Sequence, residues 1–185
     1  MLRKTLLLSA LLTLASCSLL APSQPAYLPS EPPPSSETPY ACASDFSKRS
    51  ELLTLPATEA PRDIKDSKSA PLPFATTLPV NQLLDHVARL TPFDNGWSSY
   101  ALRIRSAGAK SLSVHLAGLQ LPGGSEVWLC SADGSLRQGP YRDAPTGDLW
   151  TPVVTGDEAW LEVLVHSRKR DEFQATLVDV SGGFR

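Results

Sequence analysis

The sequence predicts an all-β fold, an antiparallel β-sandwich or jelly-roll-like domain over residues 94–185, preceded by a short helix and a proline-rich disordered tether. Two observations carry this prediction. After Asp94, apolar and polar residues alternate in short runs, which is the pattern of strands with one buried face. All 11 glycines and all 4 tryptophans lie after Asn95, whereas residues 18–77 contain no glycine and most of the prolines.

The N-terminus resembles the signal of a bacterial lipoprotein. Basic residues at positions 3 and 4 precede an apolar run, and Leu14-Ala15-Ser16-Cys17 ends it. A charged start, a short apolar core and small residues at the cleavage site are typical of secretory signals. A membrane-spanning helix is disfavoured, because it needs roughly 20 apolar residues.

The resemblance implies where the protein resides. Residues 1–16 would be removed as the signal peptide, and Cys17 would become a lipidated N-terminus with three acyl chains, palmitate among them. Several chains hold a protein on a bilayer where one alone is marginal. Ser18, and not aspartate, follows Cys17, which in similar lipoproteins implies the outer membrane, on its periplasmic face or at the cell surface.

Residues 17–77 are predicted to form the lipidated, proline-rich tether, and residues 78–93 a short amphipathic helix. The tether lacks the apolar residues that would offset its ordering entropy, and Pro32-Pro33-Pro34 favours extended polyproline geometry. In the helix, Pro79 suits the first turn, and the apolar positions follow helical spacing: Val80, Leu83, Leu84, Val87 and Leu90. This stripe is expected to pack on the β-domain, with a partner-binding helix as the alternative.

From Asp94 onward, runs with a period of two predict six or more short strands. The apolar positions are Tyr100, Leu102 and Ile104; Leu112, Val114 and Leu116; Val127 and Leu129; Val153 with its neighbours; Leu161, Val163 and Val165; and Phe173, Ala175 and Leu177. Turn signals separate these runs at Pro122-Gly123-Gly124, Asp133-Gly134, Gly139-Pro140, Pro145-Thr146-Gly147-Asp148 and Gly156-Asp157. Leu119 falls out of phase, which predicts a bulge near Gly118.

The cysteines predict a disulfide between Cys42 and Cys130. A secretory signal implies an oxidising compartment, and lipidation of Cys17 leaves an even number of cysteines. Such a bridge would pin the middle of the tether to the β-domain. The alternative is that Cys130 is a small buried residue beside Trp128 and that Cys42 is unpaired.

Composition and spacing disfavour nucleic-acid and metal binding. The formal net charge is -2, and the basic cluster Arg168-Lys169-Arg170 is expected to be a solvated hairpin tip, without the broad basic surface of a nucleic-acid-binding protein. Cys42 and Cys130 have no neighbour at zinc-ligand spacing. Four carboxylates offer calcium ligands without a known loop spacing, namely Asp143, Asp148, Asp157 and Glu158. We therefore predict no metal, and no cofactor apart from the covalent lipid.

An ordered set of short motifs in the second half of the chain resembles a known family. The motifs are Gly96-Trp97, Arg103-Ile104, Gly108-Ala109-Lys110-Ser111-Leu112, Leu121-Pro122-Gly123-Gly124-Ser125-Glu126-Val127, Gly139-Pro140-Tyr141, Leu149-Trp150-Thr151-Pro152-Val153-Val154, Gly156-Asp157 and Leu161-Glu162. Together they are similar to the N-terminal, non-catalytic β-domain that precedes the protease domain in secreted bacterial lysyl endopeptidase-like serine proteases. The resemblance covers residues 94–185.

The resemblance stops short of the protease domain, so we expect no enzyme. The chain ends at Gly182-Gly183-Phe184-Arg185, about where the protease domain begins in that family. A catalytic triad needs a nucleophile activated by a histidine that a carboxylate orients. The histidines of the chain are His86, His115 and His166. Ser181-Gly182-Gly183 is similar to the end of a nucleophile motif, but Val180 separates Asp179 from the serine.

Two classes of function follow. In the first, a membrane-anchored binding module inhibits, chaperones or retains a trypsin-like or lysyl endopeptidase-like protease, or another envelope protein. Phe184 and Arg185 are then the partner-binding candidates, because a free carboxylate after Arg185 suits a pocket for basic residues as a product-like end. In the second, a surface adhesion or interaction lipoprotein binds a glycan or a host protein, which exposed aromatic and polar loop residues would favour. A decayed protease gene is a third possibility.

Overall fold

The computed structural model describes residues 40–60 and 73–185, which form two packed β-sheets. In chain order the strands are β1 (Glu51–Leu55), β2 (Ala75–Leu83), β3 (Arg89–Pro92), β4 (Trp97–Ser106), β5 (Ser111–Gln120), β6 (Glu126–Ser131), β7 (Arg137–Tyr141), β8 (Leu149–Trp150), β9 (Val154–Thr155), β10 (Glu158–His166) and β11 (Gln174–Gly183). The helical segments are α1 (Phe46–Arg49), α2 (Leu84–Val87) and a 3₁₀ helix (Ser167–Glu172). Within the described ranges, no helix is long and apolar enough to cross a membrane.

The two sheets have different strand orders. Sheet A runs β1-β4-β10-β6-β7, and β3 also pairs with β4. Sheet B runs β2-β11-β5-β8, and β9 also pairs with β5. Strand β1 is parallel to β4, and the other pairs are antiparallel. The predicted all-β sandwich is confirmed, and it begins before residue 94 because β1, β2 and β3 belong to its sheets.

The core lies between the inner faces of the sheets. Residues at every second position of β4 and β10, such as Leu102 and Leu161, share one buried cluster with Leu116 of β5 and Leu177 of β11. Removal of these side chains from water is the main force that holds the two sheets together. The intervening positions face outward, and both outer faces carry the polar and aromatic residues discussed below.

A bulge at Gly118 interrupts β5, as predicted. Gln120 pairs with Gln174 of β11, while Ala117 pairs with Thr176, so β5 carries one extra residue over this stretch. Gly118 has a φ of +60°, a conformation that glycine adopts without the Cβ penalty of other residues. The bulge explains why Leu119 is buried although it is out of phase with the rest of the strand.

The predicted helix over residues 78–93 is wrong, apart from the single turn α2. Most of the segment forms β2 and β3 instead. Strand β2 lies at the edge of sheet B, where Pro79 costs no ladder hydrogen bond, and it pairs with β11. Asn81 adopts a φ of +54°, so the strand changes direction there. A bent strand followed by one turn therefore produced the helix-like spacing, and pairing with β11 overrode the local pattern.

The predicted tether is also wrong for residues 40–60, which fold onto sheet A. Strand β1 pairs with residues 102–106 of β4, and Phe46 of α1 is fully buried. The low apolar content of the whole tether concealed a short segment that finds its partners only in the folded domain. The predicted signal at residues 1–16, the predicted lipidation site Cys17 and the rest of the predicted tether, 18–39 and 61–72, lie outside the described residues.

One predicted turn lies within a strand, and two predicted chain reversals connect different sheets. Gly139-Pro140 lies inside β7, where a register shift against β6 accommodates it. Gly156-Asp157 joins β9 of sheet B to β10 of sheet A, and Arg168-Lys169-Arg170 lies in the 3₁₀ helix that returns the chain to β11 of sheet B. Neither connection is a hairpin, because each one joins strands of different sheets. A local turn signal predicts a chain reversal but not which sheet the next strand enters.

Candidate ligand-binding face

The outer face of sheet A is covered by residues 40–50 of the chain itself. Cys42 and Cys130 form a disulfide, with an S–S distance of 2.02 Å across a sequence separation of 88. This is the pair that the cysteine count put forward. It attaches the segment that we call the N-terminal strap, residues 40–50, to β6.

A buried ion pair also holds the strap. Arg49 Nη1 donates to Glu162 Oε1 at 2.6 Å, and the Ser99 hydroxyl donates to the same oxygen at 2.7 Å. The backbone N–H of Cys42 donates to the other carboxylate oxygen. Glu162 is fully buried and Arg49 is 9 % exposed. A buried carboxylate is tolerated only with such complete hydrogen bonding, so Glu162 is accounted for by its structural role.

Aromatic contacts complete the cover. Phe46 stacks on Trp160 with a centroid separation of 4.9 Å, and the Arg49 guanidinium lies 5.1 Å from the Phe46 ring and 5.4 Å from the Phe93 ring. Beside them, Ala41 packs in a small cluster with Trp97 and Leu164. The strap and sheet A thus supply hydrogen-bond and packing partners to each other. Among the described residues, the outer face of sheet B is the more open of the two.

The outer face of sheet B carries an exposed aromatic residue. Trp150 of β8 is 64 % exposed, and its indole stacks on the imidazole of His115, with ring centroids 3.6 Å apart and an interplanar angle of 11°. The register causes this contact, because His115 of β5 pairs directly with Trp150. One indole face is covered by the imidazole, so the opposite face and the ring edges supply the exposed area.

Two carboxylates fix the imidazole. His115 Nε2 lies 3.1 Å from Asp148 Oδ1, and His115 Nδ1 lies 3.4 Å from Asp179 Oδ2. Asp179 reaches the histidine because it pairs with it across β11 and β5, and Asp148 does so from the turn before β8. Both ring nitrogens contact carboxylates, so neither is directed at a serine hydroxyl as a catalytic base would be.

Hydroxyl groups continue this face along the strands. Ser113 and Ser181 pair with each other, two residues along their strands from His115 and Asp179. Ser181 also pairs with Thr77 of β2. We name the following set the Trp150 face: Trp150, His115, Asp148, Asp179, Ser113 and Ser181.

A groove of about 450 Å³ adjoins the Trp150 face. Its lining includes Ser113 and Ser181, together with Ser111 and the exposed apolar residues Phe74 and Val153. Shared serines make the groove and the Trp150 face one continuous surface, with apolar side chains at both ends and hydroxyl groups between them. Clefts that combine apolar walls with a few polar groups are typical ligand sites.

A second groove, of about 560 Å³, lies on the sheet A side beside the disulfide. Its lining includes Tyr40, Asp133, Arg137 and Trp160. The Arg137 guanidinium already lies 4.0 Å from the centroid of the Tyr40 ring. Hydrogen bonds from Ser131 and Ser135 hold the pKa of Asp133 at about 2, so this carboxylate is committed to the turn after β6. Internal contacts therefore engage Arg137, one face of Tyr40 and Oδ1 of Asp133, while Tyr40 remains 70 % exposed.

The predicted partner-binding residues lie at the far end of sheet B. The backbone N–H of Phe184 donates to the Phe74 carbonyl at 3.0 Å, which extends the pairing of β11 by one residue. Arg185 follows and is exposed. Phe184 thus extends β11, and Arg185 is the accessible member of the pair.

The remaining candidates are dispersed. His86 is exposed on α2, and His166 ends β10 beside Trp97, at 5.0 Å between ring centroids. Of the calcium candidates, Asp157 lies 3.8 Å from Arg105 and Glu158 lies 3.9 Å from Arg103. In the part of the chain that the structure describes, no three His, Cys, Asp or Glu side chains are grouped so that they could hold a metal ion.

The cluster of His115, Asp148, Trp150 and Asp179 was not predicted from the sequence. Each residue was visible at a polar or loop position, but no local pattern joins residues that lie up to 64 positions apart. Comparison of the chain with protein-family models and with curated proteins gave no match.

Proposed function

We propose that this chain is a membrane-anchored, non-catalytic lipoprotein that binds a ligand on the Trp150 face. The observation that supports this proposal is the exposure of Trp150 on an ordered sheet. Exposed aromatic residues rimmed by polar groups are typical of binding surfaces, since the ring supplies contact area and its neighbours supply orientation. Of the two function classes considered, this geometry favours the surface adhesion or interaction lipoprotein.

The anchor follows from the resemblance of the N-terminus to lipoprotein signals, with Cys17 as the lipidated residue. Metabolic labelling with palmitate is expected to mark the wild-type protein and to leave Cys17→Ala unlabelled. The control is Cys42→Ala/Cys130→Ala, which removes the other cysteines and keeps the label. An unlabelled wild-type protein, or a labelled Cys17→Ala variant, would show that the anchor is assigned wrongly.

A second candidate function rests on the exposed position of Arg185 at the end of sheet B. In this alternative, the protein modulates a trypsin-like or lysyl endopeptidase-like protease in trans, and the C-terminal arginine enters the specificity pocket of that enzyme. An arginine side chain would meet a carboxylate there in charge-assisted hydrogen bonds. The two candidates place the ligand at different parts of sheet B, so variants can separate them.

We expect Trp150→Ala to lose capture of the native ligand by roughly tenfold or more, because truncation of a central aromatic contact costs above 1.4 kcal/mol. The measurement uses full-length protein in detergent, immobilised and exposed to envelope and culture material, with quantitative mass spectrometry of bound proteins and sugars. Tyr40→Ala is the matched control, since Tyr40 is 70 % exposed but lies on the sheet A side.

The protease candidate predicts a different result in the same experiment. Capture would then be lost on deletion of Arg185 alone, which keeps the hydrogen bond from Phe184 to Phe74, and it would be kept in Trp150→Ala; the bound material would include a protease. If neither change reduces capture relative to Tyr40→Ala, both candidate sites are wrong.

A further inference from the structure

We propose that the ligand of the Trp150 face is a neutral carbohydrate, whose pyranose ring stacks on the free face of Trp150 while its hydroxyl groups bond to Asp148 and to the neighbouring serines. This inference rests on the proposed function and adds the chemical class of the ligand to it.

The indole is arranged as a rigid platform. His115 supports one face of Trp150 at a centroid separation of 3.6 Å, and the two carboxylates that contact His115 fix the orientation of the imidazole in turn. A supported ring loses little conformational entropy when a ligand stacks on it, which favours binding. The flat C–H face of a pyranose matches an aromatic ring in size and is apolar.

The polar groups around the platform suit sugar hydroxyls. Asp148 uses Oδ1 for His115, and within the described residues its Oδ2 has no hydrogen-bond partner; the side chain is 48 % exposed. A carboxylate oxygen accepts hydroxyl donors strongly. Ser113 and Ser181 can both donate and accept. Vicinal hydroxyl groups of a sugar require this mixture of acceptors and donors at the edge of the stacked ring.

The charge of the Trp150 face disfavours anionic ligands. Its six residues include two aspartates and no lysine or arginine. Phosphates, nucleic acids and acidic glycans would meet carboxylates without compensation, and like charges in close contact cost affinity. A neutral sugar is complementary to such a surface, because it donates hydroxyl protons to the carboxylates without bringing a negative charge.

A cationic side chain is the main competing occupant, since it would also be attracted to Trp150 and to the aspartates. Two observations favour the sugar. The imidazole of His115 already lies between the two carboxylates, and the adjoining groove continues with the hydroxyls of Ser111, Ser113 and Ser181 and not with further carboxylates. A row of uncharged hydroxyl groups suits a chain of several sugar units.

The test is ligand-observed saturation-transfer NMR and calorimetry on the full-length protein in detergent. The probes are neutral oligosaccharides of glucose, mannose, galactose and N-acetylglucosamine, with tri-lysine and a sulfated glycan for comparison. At least one neutral oligosaccharide is expected to bind. Trp150→Ala and Asp148→Ala should each weaken its binding by roughly tenfold or more, while Tyr40→Ala binds as the wild type does.

Thermal unfolding of each variant shows that a lost affinity is not lost folding. Asp148→Ala keeps the Trp150 indole and the Asp179 contact to His115, so it serves as a second readout beside Trp150→Ala. The inference is overturned if no neutral oligosaccharide binds, if tri-lysine or the sulfated glycan binds in their place, or if binding survives Trp150→Ala. When ligand capture from native material depends on Trp150 but no neutral sugar binds, the carbohydrate class is wrong and the proposed binding face stands. When capture does not depend on Trp150, the proposed function itself fails.

Discussion

Replacement of Cys42 and Cys130 by alanine is expected to lower the free energy of unfolding by about 4 to 5 kcal/mol, because the disulfide closes a long loop in the unfolded chain. The separation of 88 residues places this bridge near the upper end of the chain-entropy scale. Alanine is the suitable replacement, since Cys130 is fully buried and a serine hydroxyl would need a partner there. Urea unfolding in the Cys17→Ala background measures the difference.

Two controls accompany the disulfide measurement. Reduced Cys17→Ala protein should unfold at the same urea concentration as the double alanine variant, because both lack the bridge. Under denaturing, non-reducing conditions the Cys17→Ala protein should contain no free thiol. Two free thiols, or a loss below about 1 kcal/mol on replacement, would contradict the expected role of the bridge.

Arg49→Met is expected to cost about 3 to 5 kcal/mol, because it leaves the fully buried carboxylate of Glu162 without its charged partner. Methionine keeps much of the apolar volume against Phe46, so the loss reports the guanidinium and not the packing. The matched control is Arg89→Met. Arg89 pairs with Glu51 at 3.2 Å, but both side chains are more than half exposed, and such pairs contribute about 0 to 1 kcal/mol.

A double variant separates the ion pair from the rest of the strap. Arg49→Met/Glu162→Met removes the buried charge together with its partner, so it should be more stable than the sum of the two single losses predicts. Urea unfolding of the four proteins gives the coupling free energy. If Arg49→Met costs no more than Arg89→Met, the strap is held by the disulfide and the aromatic contacts, and the buried pair contributes nothing.

The outer faces of the two sheets differ, because the strap covers that of sheet A and the Trp150 face leaves that of sheet B exposed. Sheet A is closed by the protein's own N-terminal residues, through Cys42, Phe46 and Arg49. Sheet B carries the exposed indole and the hydroxyl row. In the proposed function, the disulfide also brings the attachment point of the lipid tether to Cys42, so 24 residues separate it from Cys17.

The alternation of apolar residues was sufficient to predict the all-β fold, the strands around Leu102, Leu116, Leu161 and Leu177, and the bulge at Gly118. Alternation is readable because it records burial of one strand face, which is a local property of the chain. The same reasoning failed over residues 78–93, where a bent edge strand and one turn mimicked the spacing of a helix. The same spacing of buried residues fits a helix and a bent strand, and only the pairing of β2 with β11 shows that this segment is a strand.

The sequence by itself determined the fold class, the resemblance of the N-terminus to a lipoprotein signal and the disulfide pair that the cysteine count put forward. Tertiary structure decided that residues 40–60 belong to the domain, that Arg49 neutralises Glu162, and that His115 meets Asp148, Trp150 and Asp179. Strand register places His115 opposite Trp150 and Asp179, across as many as 64 positions, and the docking of α1 on sheet A brings Arg49 to Glu162 across 113 positions. Register depends on the hydrogen bonds and packing of the whole sandwich, and no local stretch of sequence contains that information.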